Sequence, residues 1–181
     1  MGVLGRPLRT APEGPRSPID LVARWLGLRS NPAGVIFGTI TVGAILAGEN
    51  AKGETVATSL EAAILVAALF WVVHAWSDDT GQRIEHRRRL MWQPFAAALE
   101  HEASILRALL LPIVALIVAG LAGADDATAL WVGTMTCALS LVLIELVSAL
   151  YNRLPVTQVL VEVAAGAAFG CALIVLHFLV I

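Results

Sequence analysis

Residues 56–76 read VATSLEAAILVAALFWVVHAW, and within them only Glu61 and His74 can carry charge. A helix needs about 20 apolar residues, rising ~1.5 Å each, to cross the hydrocarbon of a bilayer. This stretch meets that requirement, and its composition leaves no face polar enough for water. Working outward, four further runs qualify: about 32–49, 104–123, 127–150 and 156–181. The first is the shortest. Asn31 and Pro32 open it as an N-cap and first helical residue. Pro112 lies inside the third run and removes one helix donor, which predicts a kink. The expectation is an all-α, single-domain, polytopic membrane bundle of about five transmembrane helices.

Composition agrees. Of the 181 residues, 58% are hydrophobic and 14% charged, where a soluble domain carries about a quarter charged. The mean hydropathy is +0.80. A net charge of −2 favours neither nucleic acid nor an acidic substrate as partner. Cys137 and Cys171 each fall in an apolar run and are expected as free thiols rather than a disulfide framework. The start of the chain, MGVLGRPLRTAPEGPRSP, has no apolar h-region and so does not read as a cleavable secretory signal. Arg6 stands where N-myristoylation wants Ser or Thr. Residues 1–30 read as a disordered basic cytosolic tail, and 31–181 as the membrane domain.

Arginine sets the orientation. Arg6, Arg9, Arg16, Arg24 and Arg29 precede the first run, Arg83, Arg87, Arg88 and Arg89 follow the second, and Arg153 follows the fourth. The opposite side holds Lys52, the only lysine, beside Glu49 and Glu54, and then Asp125 and Asp126. The N-terminus is therefore expected in the cytosol of a bacterium, with the chain multi-pass in its plasma membrane. Trp25, Trp71, Trp76 and Trp92 then fall near the inner interface and Trp131 near the outer one. The segment near 84–103 spaces Leu90, Met91, Phe95 and Leu99 at helical intervals, as an amphipathic helix on the inner leaflet would. Arg87, Arg88 and Arg89 either meet anionic lipid there, at about 1 kcal/mol per charge, or act only as a topology signal.

Lipid makes each ionisable residue inside a span costly, by ~2.5–3.5 kcal/mol at a helix centre. Such residues therefore mark candidate sites. His74, Arg107, Glu145 and Glu162 come from four different helices and share a depth within ~10 Å of the inner end. Glu61 and His177 lie in the outer part. One reading is a structural lock in which Arg107 pairs with Glu145 or Glu162. Another is a polar vestibule for ions, protons or a small solute, with the carboxylates as binding groups. A third gathers a metal from His74, Asp78, His86, His101 and Glu102 near the inner interface, although no HExxH or close histidine pair is present. No cofactor is expected, and the chain has no nucleotide-binding signature. Asp79–Thr80–Gly81 spells the aspartic-protease triplet but ends a membrane helix with no matching second copy.

Gly34 with Gly38, and Gly166 with Gly170, form GxxxG pairs, a spacing that lets helix backbones approach closely. They serve either packing within the chain or a homo-oligomer. Glu162, Gly166, Gly170 and His177 fall roughly on one face of the fifth run, which is expected to meet protein.

FWVVHAW at the end of the second run, and ALEHEASILRALLLP entering the third, resemble a family of small multi-span membrane proteins frequent in actinobacteria. In that family a Trp and a His close one helix, and a His–Glu pair with a nearby Pro opens the next. The matching positions are Trp71, His74, His101, Glu102 and Pro112. The resemblance runs from the first span to the end and omits the tail. It departs at Ala103 and Ser104, where the family often has Trp-Pro, and at Arg107, which stands near the place of an acidic residue. It implies an integral membrane protein without an assigned activity, and a contact between His74 and the His101–Glu102 pair.

Three functions remain open from the sequence. The first is a permeation or transport component using the inner polar set. The second is a non-catalytic accessory or scaffold protein acting through its small-residue helix faces and its basic tail. The third, resting on the least, is a metal-dependent membrane enzyme.

Overall fold

Asn31 opens the bundle. Its side-chain oxygen accepts from the Gly34 backbone N–H at 2.8 Å, and Pro32 occupies the first helical turn, where a missing donor costs nothing. The computed structural model describes residues 18–25, 31–87, 89 and 91–180. Among these the regular elements are all helices: α1 Pro18–Trp25, α2 Pro32–Lys52, α3 Val56–His86, α4 Trp92–Glu102, α5 Ser104–Arg107, α6 Leu110–Leu121, α7 Asp126–Tyr151 and α8 Val156–Val180. Five segments are long and apolar enough to cross a membrane: α2, α3, the α4–α6 run, α7 and α8.

Hydrogen bonds between turns fix which ends lie together. The Asn50 amide donates to Ala127 O, and the Val56 N–H donates to an Asp126 carboxylate oxygen. The α2–α3 and α6–α7 turns therefore meet at one end of the bundle. At the other end the Asn31 amide donates to Glu102 at 2.8 Å, joining the start of α2 to the end of α4. Among the described residues, Arg87, Arg89 and Arg153 follow the α3 and α7 ends on this second side, as expected from the alternation of charges.

Two stretches differ from the sequence expectation. Pro18–Trp25 form a helix, α1, that packs on α7 with Ala23 buried, so this part of the expected tail is not disordered. The rest of 1–30 lies outside the described residues. The second crossing also runs ten residues further than expected, to His86. At ~1.5 Å per residue its 31 residues span about 46 Å, against ~30 Å of hydrocarbon. The extra turns project beyond the apolar part and end at Arg87, whose φ of 50° caps the helix in the left-handed region. Residues 84–86 thus belong to α3, and the amphipathic segment begins as α4 at Trp92. Helix α4 folds back on α3: Trp71 Nε1 donates to Leu99 O at 2.7 Å, and Trp76 meets Phe95 edge-on at 6.0 Å. Asp79, buried on the extension, pairs with Arg83 at 2.8 Å, and the Arg83 guanidinium also lies over the Trp76 ring.

The third crossing is broken at Ala108–Leu109, between α5 and α6. Pro112 explains the position. It offers no N–H to the Ala108 carbonyl and its ring crowds that carbonyl, so the helix gives way one turn earlier. As a result α5 packs on α2 while α6 packs on α7.

Helix α7 is the hub, packed against α2, α6 and α8. Val42, Leu46, Leu116, Leu130, Cys137, Leu141 and Leu173 fill the centre. Helix α3 buries mainly small residues such as Ala63 and Ala67 and leaves Leu65, Leu69 and Val73 exposed, as a lipid-facing helix does.

Candidate functional site

Glu145 and Glu162 come together because α7 and α8 approach closely. A Cβ placed on Gly166 would lie 2.8 Å from the Leu141 carbonyl oxygen and 3.0 Å from Glu145 Cγ. Only glycine lets α8 sit this near. Glu162 is four residues before Gly166 on the same face of α8, so its side chain and that of Glu145 share the α7–α8 seam. One oxygen of Glu162 is buried and has no hydrogen-bond partner. Gly170 continues the seam one turn further, with the Ala138 carbonyl 2.9 Å from a Cβ built on it.

Arg107 does not join them. No ion pair links it to Glu145 or Glu162 among the described residues, so the expected lock does not form. Helix geometry gives the reason. Arg107 shares a cavity wall with Ser140, Leu143, Ile144 and Val147 of α7. The residues of α7 that meet the α8 glycines are Ala138, Leu141 and Glu145. At 100° per residue these two sets point about 140° apart around α7. A shared depth in the membrane says nothing about a shared face.

His74 is also elsewhere. Its Nδ1 lies 3.1 Å from the Phe70 carbonyl oxygen, and its ring packs between Phe37 and Phe70 at 5.6 and 5.8 Å. The expected contact with His101–Glu102 is replaced. Glu102 accepts from Asn31, His101 is exposed, and Trp71 makes the bond that ties α3 to α4. Asp78 accepts from Gln82, and His86 Nδ1 lies 3.1 Å from the Gln82 carbonyl oxygen. No group of three or more metal-ligating side chains gathers among the described residues, so the metal reading has no geometry behind it.

At the acidic end, Glu61 is exposed on α3. His177 is buried against Trp131, with ring centroids 4.5 Å apart, and its Nδ1 has no partner. The two do not meet. Of the triple arginine, Arg87 and Arg89 are exposed, and Arg88 lies outside the described residues. Both GxxxG pairs are used inside the chain. Gly38 lets α2 approach the Ile105 carbonyl, and Gly34 sits against Ser104.

The sequence reading missed two features. Asn31 was legible as a cap, but its second bond, to Glu102, joins residues 71 apart and leaves no local signal. Asp79–Arg83 did leave one, the i,i+4 spacing of opposite charges, but the sequence puts Asp79 at a helix end and Arg83 in the loop beyond it. Comparison with protein-family models, with curated proteins and with solved structures finds no match to this chain.

Proposed function

We propose that the protein is a transport component of a bacterial plasma membrane, with its N-terminus in the cytosol, in which Glu145 and Glu162 together bind and release a proton or a small cation. The observation that carries this reading is the pair itself: two neighbouring acids within the membrane-crossing helices, with no cationic side chain bonded to either among the described residues. Like charges held together in lipid repel strongly, and the pair is relieved by a shared proton or a bound cation. The glycine faces on which a scaffold reading would partly rest already contact helices of the same chain. The α7–α8 seam is closed at Gly166 and Gly170, so exchange is with the arginine-rich side in this conformation, and passage across needs α8 to shift on α7.

Liposomes containing the purified protein test this. Proton or cation flux is expected from the wild type, with loss in Glu145→Gln and in Glu162→Gln and retention in Arg107→Gln, all three variants remaining folded. Absence of flux in the folded wild type, or flux indifferent to both glutamates, would overturn the reading.

A further inference from the structure

A second feature lies on the other side of α7 and is independent of the carboxyl pair. The break at Ala108–Leu109 sends α5 towards α2 and α6 towards α7. A cavity of about 200 Å³ opens at that divergence, walled also by Val22 of α1. An apolar cavity of roughly 150 Å³ stays dry and takes up a hydrocarbon, so this one is large enough for an apolar occupant.

Its walls offer almost nothing to a polar ligand. The Thr39 hydroxyl donates to Val35 O at 2.8 Å, and the Ser140 hydroxyl donates to Thr136 O at 2.7 Å. Each is satisfied by its own helix. Among the described residues Arg107 is the one charged residue of the lining; it is exposed, and no hydrogen bond or ion pair among them engages it. Along α7 the lining runs from Ser140 to Val147, about 10 Å at ~1.5 Å per residue. Half a bilayer's hydrocarbon is about 15 Å deep. The cavity therefore lies within one leaflet, on the arginine-rich side, with a guanidinium near that end.

We propose that this cavity binds an anionic phospholipid of the arginine-rich leaflet, with one acyl segment between α2 and α7 and the phosphate on Arg107. Charge complementarity selects the head, since a guanidinium forms paired hydrogen bonds with phosphate oxygens. The dry wall selects the chain. Arg87 and Arg89 belong to a different surface, the α3–α4 turn, and do not line the cavity.

The test is native mass spectrometry of the delipidated full chain in detergent, titrated with phosphatidylglycerol or with phosphatidylcholine of the same acyl chains. The wild type is expected to hold one phosphatidylglycerol more tightly than phosphatidylcholine. Arg107→Gln is expected to lose that preference, by about five- to tenfold in affinity. Ser140→Leu, which fills the cavity, is expected to weaken both lipids, with helix content checked by circular dichroism. The joint variant Arg87→Gln/Arg89→Gln is expected to keep the wild-type preference. A preference that survives Arg107→Gln, or wild-type binding in a folded Ser140→Leu, overturns the proposal. Binding of oleate with none of phosphatidylglycerol overturns the assignment of a phospholipid.

Discussion

Alanine at Gly38 should destabilise the bundle, while alanine at Gly48 should not. A Cβ on Gly38 would meet the Ile105 carbonyl oxygen at 2.6 Å and Ala108 Cβ at 2.8 Å. Carbon atoms rest at about 3.5–4.0 Å, so α2 and α5 must part by roughly 0.7 Å or more. A gap of that size forfeits a quarter to a half of the dispersion well along the contact. Overpacking of this kind costs about 1–3 kcal/mol, offset by up to about 1 kcal/mol from the better helix propensity of alanine. The net loss is about 1–2 kcal/mol, or roughly 2–8 °C in melting temperature for a chain of this size. Gly48 and Gly81 have nothing within 4 Å of such a Cβ, so alanine there should be neutral or add up to about 1 kcal/mol. Gly166→Ala, facing the Leu141 carbonyl oxygen at 2.8 Å, should behave like Gly38→Ala. The assay is thermal unfolding in detergent followed by circular dichroism, at two protein concentrations. If Gly38→Ala and Gly166→Ala melt with Gly48→Ala, the close approach is wrong. If their loss depends on protein concentration, the glycines join copies of the chain rather than its own helices.

Other consequences follow from single contacts. Asn31→Ala removes a helix cap and the donor to buried Glu102, and should cost about 1–3 kcal/mol, read as a lower melting temperature and faster amide exchange at the start of α2. Trp71→Phe removes the bond to Leu99 O and should cost about 1 kcal/mol, seen as faster proteolysis between α3 and α4. Hydrogen bonds from the Thr128 side chain, and then from its backbone N–H, hold the Asp125 carboxyl below its ordinary value. The stabilisation is therefore fully present above the unfolded value and is lost as pH falls through the lower folded one. Asp125→Asn should flatten the acid limb of stability against pH, by a small amount because the residue is exposed.

Much of the fold was written locally. Apolar run length marked the crossings, Asn31 and Pro32 marked the start of α2, and Pro112 marked the break before it. The end of α3 was not legible. Its last ten residues are mostly polar and read as a loop, but they are helical, with Gln82 bonded to Asp78 and Arg83 paired with Asp79 across single turns. The candidate site was half legible. Glu145 and Glu162 share both depth and seam, with Gly166 on the same face as the marker. Arg107 shares only depth, and the sequence does not reveal that it borders the face of α7 turned away from the α8 seam. His74 looked like an interfacial ligand and is instead a ring among Phe37 and Phe70.

The central claim is that the two intramembrane acids are coupled to each other and not to Arg107. A double-mutant cycle on unfolding free energy measures this directly, using Glu145→Gln, Glu162→Gln and Arg107→Gln singly and in pairs. The account predicts a coupling of about 0.5 kcal/mol or more between Glu145 and Glu162, and additivity within roughly 0.3–0.5 kcal/mol for Arg107 with either. A coupling of Arg107 to either glutamate of 1 kcal/mol or more on the same scale, with none between the glutamates, would contradict it and restore the ion-paired lock.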